Sequence, residues 1–264
     1  MTTKLRLFQI DAFTSQVFGG NPAAVVPLDR WLDDTLLQSI AAENNLPETA
    51  YFVNEADGLR IRWFTPACEV DLCGHATLAT AFAIFTELET TRSEVRFNSR
   101  SGPLTVVRDG RLLVLDFPAI NLVPAEAPRA LLDALTTEPA EVLITEKNTD
   151  YFVRFDAEQT VRELQPDQRL LQSLHPHAVC VTAPGKEVDF VSRYFAPGYG
   201  IPEDPVTGLI HCSLTPYWAK RLGKMRLKAH QASKRGGELL VDDRHGRVGI
   251  AGQAVKFLDG HIAF

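Results

Sequence analysis

Residues 71–87, DLCGHATLATAFAIFTE, combine a glycine turn at Gly74 with a run that is apolar on almost every side. A helix at a protein surface shows one apolar stripe, whereas a helix that is apolar all round is buried. The pattern therefore predicts a buried helix from about His75 to Leu88. Thr77 and Thr80 lie inside it, and we expect their hydroxyls to bond back to carbonyls of the same helix.

A second apolar helix is predicted from about Leu209 to Leu222, opened by Gly208. Much of the remaining chain alternates between apolar and polar residues, which is typical of strands. Turn signals such as Asp109-Gly110 and His245-Gly246 separate these runs. The pattern predicts shorter helices at 33–44, 129–135 and 168–174, a connector at 119–128, and strands at 4–13, 23–26, 49–53, 59–63, 95–98, 104–108, 111–117, 141–145, 151–155, 178–182, 188–194, 225–229, 238–241, 247–251 and 254–264.

Three landmarks recur in the same order, which suggests an internal repeat. They are RWFTP at 62–66 and RYFAP at 193–197, Gly74 and Gly208, and Gly110-Arg111 and Gly246-Arg247, at offsets of 131, 134 and 136 residues. Chance similarity between β-rich segments is the alternative. The repeat predicts an α+β fold of two pseudo-symmetric lobes, each a curved mixed sheet or barrel around one buried helix.

We place the N-terminal lobe at residues 1–118, with the final strand at 254–264 able to return to it, and the C-terminal lobe at 119–253. Both buried helices would then begin at the cleft between the lobes. Small-molecule sites prefer such clefts. We therefore expect the active site there.

Composition narrows the class of protein. The chain has 264 residues and a net charge of −6, without a basic run, which argues against nucleic-acid binding. No apolar segment approaches the roughly 20 residues of a membrane helix. The four cysteines are scattered, which indicates reduced thiols and a cytoplasmic protein. Cys68 and Cys73 lack a second ligand pair, so we do not expect a zinc site.

Three side chains are candidates for acid–base chemistry. Glu48 lies at the mouth of an apolar strand and is a candidate general base. His75 opens the buried helix and can donate a hydrogen bond or pass a proton. Asp204 precedes Pro205 shortly before the second helix. The alternatives are an exposed loop glutamate, a core histidine and an ordinary N-cap aspartate.

Backbone groups at the two helix starts could hold an anionic substrate, because the first N–H groups of a helix lack partners within it. This makes Cys73, Gly74, Thr207 and Gly208 candidate substrate-binding residues, and Asn21 could contact a polar group of the ligand. The chain has no dinucleotide-binding glycine motif, Walker lysine motif or GxSxG elbow. We therefore expect no cofactor and no metal.

Four segments resemble the PhzF family of phenazine-biosynthesis-like isomerases. They are DAFTSQVFGGNPAAVV, NNLPETAYFV, FTPACEVDLCGHATLATAF and GIPEDPVTGLIHCSLTPYWAKRLGK, in the order of that family. The resemblance implies the diaminopimelate epimerase fold and a cofactor-independent isomerase, commonly a homodimer. In the best-known member, a glutamate shifts a proton along a cyclic dihydroanthranilate.

Carried over by motif, that glutamate is Glu48, and the histidine and aspartate are His75 and Asp204. Two departures stand out. The family usually continues EDPVTG with Ser-Ala-His, whereas this chain has Leu209-Ile210-His211. The epimerases place a cysteine at each helix start, whereas here Cys73 takes the first position and Pro205 or Val206 the second.

We therefore expect an isomerase that uses Glu48 to shift a proton on a small, cyclic carboxylate substrate. Two alternatives stay open. One is an amino-acid epimerase or racemase that uses Cys73 as a base. The other is a non-catalytic ligand-binding relative, for which Leu209 and Ile210 are the main argument.

Overall fold

A computed structural model of the chain describes residues 2–147 and 149–264. The chain divides into two compact units. Unit 1 contains the residues up to Asp116 together with Ala251–Phe264, and unit 2 contains Phe117–Ile250.

The first half of the chain begins with two strands and carries the first buried helix. Its elements are β1 (Lys4–Ala12), β2 (Asn21–Leu28), α1 (Asp34–Asn44), β3 (Glu48–Glu55), β4 (Gly58–Phe64), β5 (Glu69–Val70), α2 (Gly74–Ala83), a π-helical turn (Ile84–Leu88), β6 (Glu94–Ser99), β7 (Gly102–Asp109) and β8 (Leu112–Pro118).

The second half carries the second buried helix and ends in a long strand. Its elements are β9 (Leu122–Pro124), α3 (Arg129–Leu135), β10 (Glu141–Thr145), β11 (Asp150–Arg154), α4 (Glu158–Glu163), α5 (Gln168–Gln172), β12 (Ala178–Pro184), β13 (Phe190–Ala196), a 3₁₀ turn (Pro197–Tyr199), β14 (Ile201–Asp204), α6 (Gly208–Leu222), β15 (Arg226–Gln231), β16 (Gly237–Asp243), β17 (Arg247–Gly252) and β18 (Ala254–Ala263).

The sheet of unit 1 is mixed. β1 pairs antiparallel with β2 and with β18, and β2 pairs parallel with β3. β3 pairs antiparallel with β4, which pairs antiparallel with β5 and parallel with β6. β6 and β7 are antiparallel, as are β7 and β8. Parallel strands need a crossover, and α1 supplies it between β2 and β3.

Helix α2 packs against β1, β2, β3 and β18. Eight of its ten residues are buried, as its all-round apolar sequence predicted. The hydroxyls of Thr77 and Thr80 donate to the carbonyls of Cys73 and Ala76 at 2.6 and 2.7 Å, so these buried polar groups are satisfied inside the helix. Both expectations for this helix are confirmed.

Strands β2 and β3 are apolar on both faces because helices cover both. Leu37, Ile40 and Ala41 of α1 pack on alternate residues such as Val26 and Tyr51. Side chains alternate across a strand, so the intervening residues of β2 and β3 face α2. This double burial fixes where β2 and β3 begin relative to the start of α2.

Unit 2 repeats the strand pairing of unit 1. β10 pairs antiparallel with β11 and β9, and β11 pairs parallel with β12. β12 pairs antiparallel with β13, which pairs antiparallel with β14 and parallel with β15, and β15 pairs antiparallel with β16. Thus β10–β16 follow the pairing of β1–β7, and β9 takes the place on β10 that β18 takes on β1.

The repeat extends to one ion pair in each unit. Arg62 donates through Nε and Nη2 to Glu69 at 2.7 and 2.9 Å, and Arg193 donates in the same way to Glu203 at 2.7 and 3.0 Å. Each guanidinium also lies over a phenylalanine ring, Phe64 or Phe195. Because the arginines occupy the RWFTP and RYFAP landmarks, the structure supports the repeat over chance similarity.

Four elements of the structure differ from those that the sequence predicted. The connector at 119–128 contains β9, and β5, β14 and α4 were not predicted. The strands β5, β9 and β14 have only two to four residues, too few to show an alternating pattern. The predicted helix to Leu88 is correct in extent, but its last five residues are π-helical. The α+β class with a mixed sheet is confirmed.

No helix in the described part of the chain has the length and apolar character needed to cross a membrane.

The first prediction concerns the ion pair of unit 2. Arg193 is 8% exposed, and its Nη1 also donates to the carbonyls of Val161 and Leu164. Removing one partner of a buried pair leaves an uncompensated charge. We expect Glu203→Gln to lower the free energy of unfolding by about 3 kcal/mol in urea titrations.

The matched control for this variant is Glu94→Gln. Glu94 lies 3.9 Å from Arg96, and both side chains are more than half exposed. That change should alter the free energy of unfolding by less than about 0.5 kcal/mol. Equal effects of the two variants would contradict a structural role for the buried pair.

Candidate active site

Four of the residues singled out by the sequence come together in unit 1. Asn21 is the first residue of β2, Glu48 is the first residue of β3, and Cys73 and His75 flank the first residue of α2. β2 and β3 run parallel with Ala23 opposite Glu48, so both strands start on the same side of the sheet. Because α2 packs on both strands, its start meets theirs.

His75 lies at the centre of this group. Its Nε2 is 3.1 Å from Oε2 of Glu48, and its Nδ1 is 3.2 Å from Nδ2 of Asn21. Sγ of Cys73 lies 3.5 Å from the same Nδ1. The imidazole ring therefore lies between the carboxylate on one side and the amide and thiol on the other.

The group is shielded from water. Asn21 is 0% exposed, His75 4% and Cys73 7%, whereas the Glu48 side chain keeps 13% of its surface exposed. Nε2 of His75 and Oε2 of Glu48 lie within ion-pair distance, but they are not aligned for a hydrogen bond. Among the described residues, neither atom has another hydrogen-bond partner. Buried polar atoms are normally paired, so these two are poised to take a further partner.

Burial and neighbouring charges set the protonation of the group. Burial, and next the charge of Glu48, raises the pKa of the Cys73 thiol. A thiol is a weak base and a weak nucleophile until it ionises. For His75, burial lowers the pKa, whereas the nearby charge of Glu48 raises it.

The donor atoms of Glu48, Cys73 and His75 lie within 4.8 Å of one another, a spacing that could hold a metal ion. However, Cys73 lies beside Nδ1 and Glu48 beside Nε2, and the two nitrogens point out of the ring in different directions. The arrangement therefore favours hydrogen bonding through the imidazole over a shared ion.

The second helix start lies in unit 2 and is organised by Gln231. Thr207 precedes α6, and its peptide N–H donates to Oε1 of Gln231 at 2.8 Å. The Gln231 amide donates to the carbonyl of Asp204 at 3.0 Å and to the Thr207 hydroxyl at 3.1 Å, and that hydroxyl donates to the Asp204 carboxylate. The sequence predicted the Thr207 N–H free for a ligand, whereas here it is already bonded.

Gln231 is a residue that sequence reasoning missed. It is 0% exposed and ends β15, 24 residues after Thr207. A glutamine at the end of an alternating strand gives no signal of its own in a single sequence. β13 pairs with both β15 and β14, and this shared pairing brings Gln231 close to Asp204 at the end of β14.

The family model for phenazine biosynthesis-like proteins, PhzC-PhzF, matches residues 10–260 of this chain. The chain belongs to this family. An uncharacterised isomerase of Pseudomonas aeruginosa is 51% identical to it, over 98% of this chain and 99% of the relative. The chain is therefore a PhzF-family isomerase.

Solved structures agree with the assignment. A PhzF-family protein of Enterococcus faecalis superposes with a TM-score of 0.94 at 43% identity, over 98% of this chain and 99% of that one. A hydroxyproline epimerase of Agrobacterium vitis superposes with a TM-score of 0.65 at 11% identity, over 99% of this chain and 93% of that one. The second likeness shows a shared fold and nothing more.

In this PhzF-family chain the two repeats carry different chemistry. Thr207 precedes α6 as Cys73 precedes α2, and Leu209 follows Gly208 as His75 follows Gly74. Pro205 or Val206 was expected at the second cysteine position, and that expectation is wrong because α6 begins at Gly208 and Thr207 directly precedes it.

Strand register identifies the counterpart of Glu48. Thr49 lies opposite Phe64, and Val179 lies opposite Phe195 in the second repeat. The residue before Val179 is Ala178, so unit 2 has no carboxylate at that position. Leu209 is 46% exposed, so the side chain that replaces the family's serine points to the surface of unit 2.

The second prediction concerns His211, in the first turn of α6. Its Nδ1 lies 2.8 Å from the Thr207 carbonyl, its Nε2 has no partner among the described residues, and burial lowers its pKa to about 4. Between about pH 6.5 and 4 the unfolded chain binds a proton at His211 that the folded chain does not. The free energy of unfolding should therefore fall by about 3 kcal/mol across this range because of His211.

The variant His211→Asn keeps an N–H donor near the Thr207 carbonyl and removes the titrating ring. We expect the difference in unfolding free energy between wild type and variant to shrink by about 3 kcal/mol from pH 7 to pH 4, measured by urea titration. A difference that does not change with pH would show that His211 is not buried in its neutral form.

Proposed function

We propose that this PhzF-family isomerase moves a proton between two carbons of a small, cyclic carboxylate substrate, with Glu48 as the acid–base group. The observation that carries the proposal is the Glu48–His75 contact. A carboxylate oxygen and a ring nitrogen face each other at 3.1 Å, both are buried, and neither makes a hydrogen bond within the described part of the chain. Polar atoms left unpaired in this way are available to a substrate.

The proposed reaction conserves atoms and electrons. The Glu48 carboxylate takes a proton from a carbon that an adjacent unsaturated or carbonyl group makes acidic. The electron pair of the broken C–H bond moves into that system, and protonated Glu48 returns the proton at another carbon. No oxidant or reductant is consumed, so the proposed chemistry requires no cofactor.

The start of α2 supports the charge that develops on the substrate. The first N–H groups of a helix have no partners within it, and the helix dipole favours negative charge at that end. The proposal therefore assigns Gly74 and Cys73 to substrate binding and His75 to a hydrogen bond from Nε2. Asp204, Thr207 and Gly208 enter the proposal through the family motif, as residues that take part in binding or proton relay.

The asymmetry of the repeats favours a proton shift over racemisation. A two-base racemase needs a base on each face of the substrate carbon. Unit 2 has Thr207, Leu209 and Ala178 where unit 1 has Cys73, His75 and Glu48. Cys73 itself keeps its proton because burial raises its pKa. All the strong acid–base groups of these matched positions therefore belong to unit 1.

The cytoplasmic homodimer that the family resemblance implies completes the proposal. The chemistry proposed for Glu48 does not depend on it.

The third prediction is that Glu48→Gln lowers turnover of a cyclic dihydroanthranilate by roughly 10²–10⁴-fold. The amide keeps the shape of the side chain and removes the base. Turnover is followed by the loss of substrate absorbance, and circular dichroism checks that the variant is folded. Glu43→Gln, on the exposed face of α1, is the matched control and should keep full activity.

Full turnover by Glu48→Gln would show that Glu48 is not the acid–base group of the reaction. If the wild-type protein binds the acid tightly but neither converts it nor exchanges any of its hydrogens with solvent, the non-catalytic alternative is correct.

The fourth prediction separates isomerase from racemase through Cys73. Because the thiol is protonated, Cys73→Ala should keep turnover within about tenfold of wild type, well short of the loss that follows removal of an acid–base group. Wild-type protein in D₂O should incorporate no deuterium at the α-carbon of proline or 4-hydroxyproline, measured by mass spectrometry. Incorporation that disappears in Cys73→Ser would support the racemase.

A further inference from the structure

The preceding glycine and the pairing of β1 with β2 fix the backbone position of Asn21. Gly20 has a φ of +60°, and a Cβ at that position would lie 2.0 Å from the Ala12 carbonyl oxygen, so only glycine fits. Asn21 then pairs with Ala12 across β1 and β2. Its side chain is completely buried, and its backbone position is fixed by the sheet.

The contact between Asn21 and His75 indicates which ring nitrogen of His75 carries the proton. The amide nitrogen of Asn21 lies 3.2 Å from Nδ1 of His75, and an amide nitrogen can only donate hydrogen bonds. Nδ1 must therefore accept, and it can accept only when it carries no proton. In neutral imidazole the proton then lies on Nε2, the atom that faces Glu48.

Two influences on His75 oppose each other. The titratable groups near it are Cys73, just before α2, and Glu48 on β3. Negative charge on Glu48 favours an imidazolium with both nitrogens protonated. A proton on Nδ1 would point at the amide hydrogens of Asn21, and this repulsion disfavours the imidazolium. Cys73 also reaches Nδ1, but an S–H group is a weak donor and adds little to this preference.

We propose that Asn21 is a positioning residue that keeps His75 neutral, with its proton on Nε2, the ring nitrogen that lies beside Glu48. This replaces the expectation that Asn21 contacts a polar group of the ligand. The catalytic consequence rests on the proposed function, because it makes His75 a hydrogen-bond donor toward Glu48 or the substrate. The protonation state itself does not rest on it.

The reaction needs this state of the ring. If His75 were an imidazolium, it would pair with Glu48 and weaken the carboxylate as a base. If neutral His75 carried its proton on Nδ1, a lone pair on Nε2 would face the carboxylate and repel it. Only the Nε2–H form supplies a donor beside Glu48 and leaves the carboxylate free to take a proton.

The test is the ¹⁵N NMR spectrum of protein labelled at histidine, without any ligand. His75→Gln identifies the His75 signals by difference. We expect wild-type Nδ1 to give the signal of an unprotonated nitrogen and Nε2 that of a protonated one at pH 7. A protonated Nδ1 in the wild-type protein overturns the proposal, and this measurement needs no folded variant of Asn21.

Asn21→Asp reverses the chemistry at the same position, because a carboxylate accepts where the amide donates. We expect both ring nitrogens of His75 to become protonated, and kcat on a cyclic dihydroanthranilate to fall by roughly tenfold or more with little change in KM. Asn98→Asp, whose amide donates to the Asp57 carbonyl, is the control with the same charge change. It should leave both the spectrum and kcat unchanged.

Each further outcome decides a separate point. An Asn21→Asp spectrum identical to wild type overturns the positioning role. A loss of affinity in that variant without a change in the His75 signals supports ligand contact instead. If the His75 signals behave as proposed while Glu48→Gln keeps full turnover, the role of Asn21 stands and the proposed function fails.

Discussion

The contact between Glu48 and His75 depends on how α2 is buried. A helix without a polar face has to be enclosed by the sheet, and its first turn then meets the first residues of the strands that enclose it. In this chain those strands are β2 and β3, which run parallel and begin with Asn21 and Glu48. The burial of α2 thus brings an amide and a carboxylate to either side of one imidazole ring, away from water.

The internal repeat shows which parts of this arrangement belong to the fold. Strand order, the glycine that opens each buried helix and the Arg–Glu pair are common to both units. The positions in unit 2 that match Glu48, Cys73 and His75 hold Ala178, Thr207 and Leu209, and a buried glutamine holds the segment before the second helix. The two units therefore share a scaffold but differ in the residues at these matched positions.

Much of this could be predicted from the sequence because the strongest patterns are local. The all-apolar run around Leu78 identified α2, and the recurrence of RWFTP and Gly74 identified the repeat. The short strands β5, β9 and β14 escaped because a few residues cannot show a period. The part played by Asn21 also escaped, since its meaning depends on a contact with a residue 54 positions away. Contacts between residues that are distant in sequence depend on how the strands pair, and local sequence patterns do not predict that pairing.

The central claim is that one carboxylate takes and returns the same proton. It is tested most directly with a cyclic dihydroanthranilate that carries deuterium at the carbon that loses its hydrogen, converted in ordinary water. The account predicts that a measurable fraction of product molecules carry the deuterium at the new carbon, on the face from which it left. Product with solvent hydrogen alone, delivered to the opposite face, would require a second base and would contradict the account.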